Sequence, residues 1–515
     1  MMDQYLLGID VGTGSCKVII IDVDGNVAGE ASRPYGTSYP KPLWAEQSPE
    51  DWYEAFRGAL SESARNAGIS AGDIRGVGIT GQMKGLTLLR RDGDAIRPTL
   101  LWNDRRCTPQ LEWIGKKLGP QVYDETYNPV DTTSTIAKIL WIMENEPETW
   151  KETYKIQFPK DYVRLRLTGT WFTDCSDASG TSLFNVGNLL WSQSILEKAG
   201  ISADKLPDAV PSVETVGEIT GQASGDTGLL EGTPVVAGGS DTTVESVACG
   251  LASSDQCKIR LGTAGSISVC LGKPVRDPKK RNYCYAHSIP GNWIVDTNIR
   301  SCGLAREWYK NTFCGEETTE AEKSHADVYS VIDRGAKGVP VGSDGLIFHP
   351  YLMGEDSPYY DPYLKGSFFG VTVRHRKEHF ARAVLEGVAY ALRDAIGALG
   401  NLRDNIHEYV LVGGGTKSPL WSQIICDALG INAMIPRNVD ASFGAAMLAG
   451  IGNHVFSSPS EAVRRCVKVE KRICFDQSSH EKYSALFEVY MRLRADLSED
   501  HYRLRRVLES SLAQA

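Results

Sequence analysis

The sequence lacks the features that mark membrane, exported and nucleic-acid-binding proteins. No apolar run approaches the length of a membrane-spanning helix, and the first residues contain no basic or apolar export segment. The formal net charge is −9, and the longest basic run, residues 279–281, has three members, which argues against a surface for phosphate backbones. We therefore expect a cytoplasmic protein with neither a membrane nor a nucleic-acid partner.

Cysteine pairs are also missing. The twelve Cys are scattered and none forms a Cys-x-x-Cys pair, so the spacing does not favour zinc, and we interpret them as reduced thiols. Hydrophobic residues make up 42% of the chain and charged residues 23%, which is typical of an ordered globular protein. A length of 515 residues exceeds what one core usually supports, so we expect two domains.

The stretch 233–241 joins a short apolar run to two glycines and an aspartate. This pattern predicts a buried strand that ends in a turn carrying Asp241. Strand-end turns of open α/β sheets face ligands, so Asp241 is a candidate general base. An Asp in a turn also commonly acts as a helix cap or a turn former, and this alternative stays open.

Each half of the chain carries a strand, a Gly-Thr turn and a second strand. The first half has strands over 5–11 and 17–23 around the turn 12–15, and the second half repeats the pattern at 262–265. Small residues in such a turn offer backbone N–H groups and hydroxyls to a phosphate, although a plain tight turn explains them too. Asp10 directly precedes the first turn, where a carboxylate can hold hydrated Mg²⁺. The repeat predicts two α/β domains, residues 1–246 and 247–515.

Periodicity and capping residues predict the remaining elements. Strands are predicted from 26 and over 74–80, 86–89, 345–350 and 409–412; helices are predicted over 49–67, 135–143, 160–169, 192–199, 242–249, 383–392, 419–429 and 483–493, and from 303. The polar stretch 173–181 is too long for a tight turn and is a candidate contributor to a cleft.

Three further segments are candidate ligand contacts. Residues 82–84 form a polar loop between two glycines after a predicted strand, which suits a ligand or an ordinary connector. Residues 102–106 combine an aromatic ring, an amide, a carboxylate and two guanidinium groups, which suits a sugar, with a surface salt-bridge patch as the alternative. The glycines 413–415 lie between a predicted strand and a helix, which suits a nucleotide.

Taken together, these stretches resemble the FGGY carbohydrate kinases, most closely their xylulokinase branch. The second family signature is matched over 366–371 and 379–387, and the first is matched up to 138–145 except for Thr133 at its opening position. The resemblance covers nearly the whole chain. It implies two ribonuclease-H-like domains of the actin, hexokinase and Hsp70 type, with mixed sheets flanked by helices and a ligand cleft between them. It also implies phosphorylation of a small sugar, with ATP and Mg²⁺ as cofactors.

The resemblance also implies roles by position. Asp241 would be the general base, and Asp10 and Asp241 would be associated with Mg²⁺. The implied sugar contacts are Gln82, Met83, Lys84, Trp102, Asn103, Asp104, Asp241 and Thr242. The implied nucleotide contacts are Gly12, Thr13, Gly14, Ser15, Lys17, Gly262, Thr263, Gly303, Gly413, Gly414, Gly415 and Lys417. We also expect a homodimer.

Two positions depart from the xylulokinase pattern, which usually has His in place of Lys84 and Asn or Gln in place of Thr242. An ammonium group only donates hydrogen bonds, so Lys84 favours a substrate with lone pairs there and would tolerate a carboxylate, unless it points to solvent. The expected substrate is a pentulose such as D-xylulose, phosphorylated at its terminal hydroxyl; L-xylulose, ribulose, xylitol and erythritol are alternatives.

Two other classes of protein share parts of this pattern. A noncatalytic ATP-driven switch of the Hsp70 or actin class would have the glycine turns, but it would not need Asp241 or the cluster at 102–106. A sugar-binding module would lack the nucleotide turns. The sequence therefore favours a kinase of carbohydrate, and specifically xylose, metabolism.

Overall fold

The computed structural model describes residues 4–512, which form two compact α/β units. The first unit contains the described residues through Ser254, together with Cys270–Val295 and Arg437–Lys468. The second contains Asp255–Val269, Asp296–Pro436 and the described residues from Val469. Two segments that follow position 246 thus belong to the first unit, a return of the chain that a single cut in the sequence does not describe.

Short strands alternate with helices along the chain. Within residues 4–512 the strands are β1 Tyr5–Val11, β2 Ser15–Asp22, β3 Val27–Pro34, β4 Glu46–Gln47, β5 Ile74–Gly81, β6 Thr87–Leu89, β7 Thr99–Leu100, β8 Lys155–Gln157, β9 Phe172–Asp174, β10 Phe184–Asn185, β11 Leu190–Trp191, β12 Asp208–Val210, β13 Thr215–Glu218, β14 Pro234–Val236, β15 Gly239–Ser240, β16 Gln256–Leu261, β17 Gly265–Leu271, β18 Tyr283–Ala286, β19 Trp293–Ile299, β20 Ile347–His349, β21 Ser367–Phe369, β22 Glu408–Val412, β23 Ala433–Pro436 and β24 Val469–Ile473.

The helices include most of those predicted from periodicity. They are α1 Pro49–Ala67, α2 Thr108–Lys117, α3 Gly119–Thr126, α4 Thr135–Asn145, α5 Pro147–Glu152, α6 Pro159–Thr168, α7 Cys175–Ser179, α8 Gln193–Ala199, α9 Gly221–Thr227, α10 Asp241–Ala248, α11 Gly303–Phe313, α12 Gly315–Ser324, α13 Val328–Lys337, α14 Lys377–Gly397, α15 Pro419–Leu429, α16 Ala441–Gly452, α17 Pro459–Cys466 and α18 Gln477–Leu512. Short 3-10 helices cover Ala71–Asp73, Ala203–Lys205, Ser343–Gly345, Gly400–Asn405 and Gly414–Lys417.

The two units repeat one strand pattern, which confirms the predicted α/β class with mixed sheets. In the first unit the strand order is β13-β14-β5-β1-β2-β3; β1, β2 and β3 run antiparallel in sequence, whereas β5 is parallel to β1. In the second unit β17 is antiparallel to β16, and β22 is parallel to β16. The strand, Gly-Thr turn and strand seen twice in the sequence are therefore the two equivalent hairpins of these sheets.

Helices cover both faces of the first unit's sheet. Since side chains alternate along a strand, β1 sends Leu7 and Ile9 to one face and Leu6 to the other. Leu7 and Ile9 pack with aromatic residues of α1 and α6, and Leu6 packs with apolar residues of α10 and α16. Helix α16 is buried from Ala441 to Ile451, as expected of a helix that is apolar all round.

Glycines let α16 lie directly against the sheet. A Cβ atom at Gly8 would stand 1.8 Å from the carbonyl oxygen of Ser442, and one at Gly78 would stand 1.9 Å from that of Ala445. Real Cβ atoms do not approach backbone so closely, so any side chain at either position would push the helix away. These two glycines fix how closely α16 approaches β1 and β5.

Two predicted segments differ in the structure. Residues 173–181, predicted only to be too long for a tight turn, form the end of β9 and helix α7, because Asp174 caps α7 by accepting hydrogen bonds from the backbone N–H groups of Ser176 and Asp177. The closing helix, predicted over 483–493, extends over α18. No helix within residues 4–512 is long and apolar enough to cross a bilayer.

Candidate active site

The predicted site residues fall into two sets, one in each unit. The first unit holds Asp10, Gly12, Thr13, Gly14, Ser15, Lys17, Gln82, Met83, Lys84, Trp102, Asn103, Asp104, Asp241 and Thr242. The second unit holds Gly262, Thr263, Gly303, Gly413, Gly414, Gly415 and Lys417.

The alternation along β1 places Asp10 beside two helix N-termini. Asp10 shares the face of Leu6 and Gly8, which α10 and α16 cover. Asp241 is the first residue of α10, and Asp440 is the N-cap of α16, where its side chain accepts from the backbone N–H of Ser442 at 2.9 Å. Three carboxylates thus meet where the positive ends of two helix dipoles favour negative charge.

Asp10 is half-buried, and its surroundings disfavour its charge. Burial, and then the neighbouring carboxylates Asp241 and Asp440, raise the pKa of Asp10 from 3.8 to about 8, while Lys17 acts in the opposite direction. The Oδ1 atom of Asp10 is buried and has no hydrogen-bond partner within residues 4–512. A buried acceptor of this kind calls for a cation or a proton donor.

Asp241 lies half-buried at the end of the predicted strand-end turn. Gly238, with φ of +77°, makes that turn, and a Cβ atom there would stand 1.9 Å from the carbonyl oxygen of Ile79. Thr242 donates from its backbone N–H to Oδ1 of Asp241 at 2.7 Å, and its hydroxyl lies 3.3 Å from the same oxygen. Donors at a carboxylate favour its ionised form.

The first Gly-Thr turn is held by four side chains, one of which is Tyr35, whose hydroxyl donates to the Gly12 carbonyl at 2.5 Å. Gln82 Nε2 donates to the Gly12 carbonyl at 3.3 Å, Gln47 Nε2 donates to the Thr13 carbonyl at 2.7 Å, and the Trp102 indole donates to Thr13 Oγ1 at 3.0 Å. The N–H of Gly12 bonds the carbonyl of Ser15 at 3.1 Å, which closes the turn, and a Cβ atom at Gly14 would meet nothing within 4 Å. Open space above Gly14 leaves room for a ligand.

Lys17 lies on β2 and forms ion pairs with Asp440 at 3.1 Å and with Glu30 at 3.3 Å. The ammonium group therefore supports the Asp440 cap, in addition to its predicted place among the nucleotide contacts. The sequence analysis did not identify Asp440. The pattern that could have indicated it is an Asp two residues before Ser442 at the start of an Ala- and Gly-rich helix, which is typical of an N-cap.

The predicted sugar loops contain two further buried acceptors. Gln82 Oε1 and Asn103 Oδ1 are buried without a hydrogen-bond partner in the described part of the chain. Met83 is 9% exposed, and the Trp102 ring is 40% exposed. Unpaired amide oxygens beside an exposed aromatic ring suit the hydroxyls and the apolar face of a sugar.

Asp104, predicted as a sugar contact, is fully occupied by the protein. Its carboxylate accepts from the Ala45 backbone N–H at 2.7 Å and from Arg106 Nη2 at 2.7 Å, and it is 0% exposed. Arg106 also pairs with Glu46 at 2.6 Å. Asp104 and Arg106 thus belong to a buried ion-pair cluster with Glu46, whereas Arg105 is exposed and donates to Thr132 Oγ1 at 2.6 Å.

Lys84 does not point to solvent. It has a φ of +63°, and its ammonium group donates to Thr133 Oγ1 at 3.0 Å and lies 5.0 Å from the centre of the Tyr283 ring. Thr133 in turn donates to Asp131 Oδ1 at 2.6 Å, and the Tyr283 hydroxyl donates to Asp131 Oδ2 at 3.0 Å.

Asp131 carries the charge that balances Lys84. Burial would raise the pKa of Asp131, but the Lys84 charge and the hydrogen bonds from Thr133 and Tyr283 hold it below its usual value. Sequence reasoning found Lys84 and Thr133 as separate departures from a family pattern. It missed Asp131 and Tyr283, because only the fold brings them to Lys84.

The second unit has a cavity of about 1340 Å³ whose lining includes six of its seven predicted residues. They are Gly262, Thr263, Gly303, Gly414, Gly415 and Lys417. Gly413, with φ of +91°, makes the turn behind them, where a Cβ atom would stand 2.8 Å from the Leu261 carbonyl oxygen. The N–H of Gly303 donates to the Gly262 carbonyl at 2.8 Å, which fixes the Gly-Thr turn to the start of α11.

Charged and aromatic side chains form one wall of this cavity. Arg306 forms an ion pair with Asp333 at 2.5 Å, and its guanidinium carbon lies 4.4 Å from the centre of the Tyr329 ring. Ser418 donates to the other Asp333 oxygen at 2.6 Å and caps α15. A cavity of this size with glycine turns and two helix N-termini suits a nucleotide.

No group of three or more His, Cys, Asp and Glu side chains within residues 4–512 is arranged to hold a metal ion by itself. This does not conflict with Mg²⁺, which keeps most of its waters and takes one or two carboxylates in nucleotide sites. Asp10, with its unpaired buried oxygen, fits such a ligand.

Comparison with known proteins agrees with the fold. Residues 5–248 match the N-terminal domain, and residues 257–452 the C-terminal domain, of the FGGY family of carbohydrate kinases. The chain is 34% identical to the xylulose kinase of Bacillus subtilis (strain 168) over 491 residues, 95% of this chain and 96% of that one. It is 29% identical to the gluconokinase of the same organism, with 97% of each chain covered. The crystal structure of xylulose kinase from Rhodospirillum rubrum aligns with a TM-score of 0.88 and 28% identity over 97% of this chain and 100% of that one.

The chain belongs to the FGGY family of carbohydrate kinases. It is an enzyme that phosphorylates a sugar at the expense of ATP. The prediction of a sugar kinase is therefore confirmed, and a noncatalytic switch or a pure sugar-binding module does not describe it.

Proposed function

We propose that this kinase acts on the terminal hydroxyl of a pentulose, with D-xylulose as the first candidate. The observation that carries the proposal is the similarity to xylulose kinases over 95% of the chain. The alternatives are L-xylulose, ribulose, xylitol and erythritol, which also carry a terminal primary hydroxyl. We further propose that residues 1–246 supply the sugar-binding half and 247–515 the nucleotide-binding half.

Asp241 is the proposed general base. Its position as the first residue of α10, half-buried and with Thr242 donating to Oδ1, supports a carboxylate that is held in one orientation at a helix N-terminus. In this role it accepts the proton of the attacking sugar hydroxyl and orients that oxygen.

Asp10 and Asp241 are the proposed carboxylates for Mg²⁺. Support comes from the unpaired, buried Oδ1 of Asp10 and from the neighbouring carboxylates that disfavour its charge, a cost that a cation would offset. When bound, Mg²⁺ supplies positive charge to the phosphoryl oxygens. The turn from Gly12 to Ser15 and the residues of the second unit's cavity are the proposed contacts for ATP.

The proposed sugar contacts are Gln82, Asn103, Trp102 and Thr242, with Met83 beneath them. Gln82 Oε1 and Asn103 Oδ1 would accept from sugar hydroxyls, because each is buried without a donor in the described chain. Asp104 receives a supporting role, since the protein already occupies both of its oxygens. It holds the loop that carries Asn103 and Trp102.

The network around Lys84 favours a neutral sugar over an aldonate. Lys84 is already paired with Thr133 and faces the carboxylate of Asp131, so a second carboxylate would be repelled by Asp131. Gluconate is the second candidate because a gluconokinase relative covers 97% of this chain. Because Asp131 compensates the charge of Lys84, we propose that gluconate is not the preferred substrate. This revises the expectation that Lys84 would tolerate a carboxylate.

We also propose a cytoplasmic homodimer. Twelve free thiols, eleven of them buried, support a reducing compartment. Light scattering of the purified enzyme would give twice the mass of one chain; the mass of a single chain would contradict the dimer.

The experiment that tests the function is ADP release with Mg²⁺ and a panel of D-xylulose, L-xylulose, D-ribulose, L-ribulose, xylitol, erythritol and gluconate. The highest kcat/KM is expected for a pentulose, and the highest value for gluconate would overturn the substrate assignment. Asp241→Asn should lower kcat about 10²- to 10⁴-fold with little change in sugar affinity. The exposed Asp226→Asn in the same unit serves as the matched control.

A further inference from the structure

The second unit has another cavity that the phosphoryl-transfer site does not use. Its volume is about 480 Å³, within the range of roughly 300–1,000 Å³ found for small-molecule sites. It lies at the C-terminal end of α15, at Leu429 and Gly430, and is also lined by residues of α14, β22 and the 3-10 helix Gly400–Asn405.

The ionisable lining of this cavity includes basic residues and no acidic ones. Arg393 and Arg403 contribute guanidinium groups, and His407 and His480 contribute imidazoles, whereas no Asp or Glu is among the lining residues. This composition contrasts with the whole chain, which carries a net charge of −9. Basic groups collected in one cavity of an acidic protein form a local site of positive potential.

No ion pair joins a carboxylate to either Arg393 or Arg403 within residues 4–512, although the more distant charge of Glu488 acts on Arg393. Burial, and next the charge of Arg403, lower the pKa of Arg393, which shows that the two like charges oppose each other. An anion between them would relieve that repulsion.

Arg393 is anchored and still has donors to offer. Its Nη1 atom donates to the Ala428 carbonyl at 2.8 Å and to Ser484 Oγ at 3.1 Å, and the guanidinium carbon lies 4.7 Å from the centre of the Phe487 ring. Its Nε and Nη2 atoms make no hydrogen bond within the described residues. The side chain is therefore held in place, with N–H groups left for a ligand.

Apolar side chains complete the cavity. Ile396, Ile406, Ile431 and Phe475 line it together with the amide of Asn432. A free inorganic ion would gain nothing from these apolar walls, whereas an organic anion can place its carbon skeleton against them. Two guanidinium groups and an imidazole match the oxygens of a phosphate group better than the two oxygens of one carboxylate.

We propose that this cavity is a second ligand site, which binds a small phosphate monoester through Arg393, Arg403 and His407. This cavity and the proposed nucleotide cavity lie at opposite ends of α15. Helix α15 begins with Ser418, Pro419 and Trp421 at the large cavity with the glycine turns, and it ends at this one. One rigid helix thus contacts both ligand cavities of the second unit.

The test is isothermal titration of the full chain with ribose 5-phosphate, with ADP and sugar present at saturation so that the phosphoryl-transfer site is filled. One additional binding event is expected. Ribose, which lacks the phosphate, should show none, and inorganic phosphate and malonate should bind at least tenfold more weakly than ribose 5-phosphate. Equal or tighter binding of malonate would overturn the assignment of a phosphate ligand, and equal binding of inorganic phosphate would overturn the role of the apolar walls.

Variants locate the site. Arg403→Gln and His407→Gln alter exposed side chains and should each weaken binding of ribose 5-phosphate at least fivefold while kcat stays unchanged. Arg374→Gln, an exposed arginine of the same unit outside the cavity, should bind as the wild type does. Unchanged affinity in both cavity variants, or no binding of ribose 5-phosphate to the wild type, would overturn the proposal.

Discussion

The hydroxyl oxygen of Ser176 accepts a hydrogen bond from the backbone N–H of Ser240 at 2.9 Å, one residue before Asp241. Ser176 donates in turn to Asp174 Oδ2 at 2.5 Å. All three partners are buried. The peptide that leads into Asp241 is therefore fixed by a side chain of helix α7.

A second contact holds the start of the same turn. Arg164 donates to the Ala237 carbonyl at 3.1 Å and pairs with Asp161 at 2.8 Å. Lys160 pairs with Asp161 at 2.5 Å and with Asp174 at 3.1 Å, so both holding points belong to one buried charged cluster. The turn before Asp241 is thus held at its start by the paired charge of Arg164 and at its end by the neutral Ser176 hydroxyl, which Asp174 fixes.

Ser176→Ala should lower kcat about 10- to 100-fold with little change in the KM of the sugar, because a small displacement of the base affects the transition state more than substrate binding. Steady-state kinetics at several pH values check this. Ser63→Ala is the matched control, since Ser63 is also buried and its hydroxyl has no partner within residues 4–512. A Ser176 variant with normal kcat would show that the contact does not position Asp241.

Asp131→Asn should change the ratio of activities toward gluconate. The substitution removes the carboxylate that compensates Lys84, so the ammonium group becomes available to an anionic substrate. The kcat/KM for D-xylulose should fall and the kcat/KM for gluconate should rise. If the electrostatic coupling between Asp131 and Lys84 amounts to about 1.4 kcal/mol, the ratio of the two values should change about tenfold. Asp124→Asn, an exposed carboxylate on α3, is the control. A ratio that stays constant would show that Lys84 does not determine the choice of substrate.

His349 should make stability depend on pH below neutrality. Burial lowers the pKa of His349 from 6.5 to about 4, and its ring bonds Ser367 Oγ and the Tyr490 carbonyl, each at 3.0 Å. Between pH 6.5 and 4 the unfolded chain binds a proton that the folded chain does not, so stability falls as pH falls through this window and is fully present above it. Urea unfolding of wild type and His349→Gln should show a smaller loss in the variant, and His454→Gln, at an exposed histidine, should behave as the wild type. Parallel curves for wild type and His349→Gln would contradict the expectation.

Gly303→Ala should raise the KM for ATP with little effect on the KM of the sugar. A Cβ atom at Gly303 would stand 2.7 Å from the Gly262 carbonyl oxygen and would displace the Gly-Thr turn of the second unit. Gly315→Ala is the matched control, because it also stands at the start of a helix and its Cβ atom would meet nothing within 4 Å. An unchanged KM for ATP in Gly303→Ala would show that this turn does not contact the nucleotide.

The sequence predicted local elements well where pattern and capping agree. Helix α1 has the predicted limits because Pro49 begins it and Gly68, with φ of +69°, ends it. The two hairpins with their Gly-Thr turns were also predicted, since small residues at a strand end leave few alternatives. No helix was predicted in the stretch 173–181, because the local sequence does not show whether Asp174 caps a helix or forms a turn.

Contacts between distant segments could not be predicted in the same way. Asp440 meets Asp10 only because α16 returns to the first unit, and Asp131 meets Lys84 through Thr133. Nothing in the local sequence distinguishes Asp131 from an ordinary turn residue. For Asp104 the neighbouring residues predicted a sugar contact, whereas in the structure its carboxylate pairs with Arg106.

The return of Arg437–Lys468 to the first unit affects how the chain is made. During synthesis the strands that carry Leu6 and Ile19 leave the ribosome early, but α16, which covers them, appears roughly 400 residues later, about 20–80 s at 5–20 residues per second. Over that time the apolar face has only α10 to cover it, and Asp10 has no Asp440 beside it. The carboxylate site is therefore among the last features to assemble.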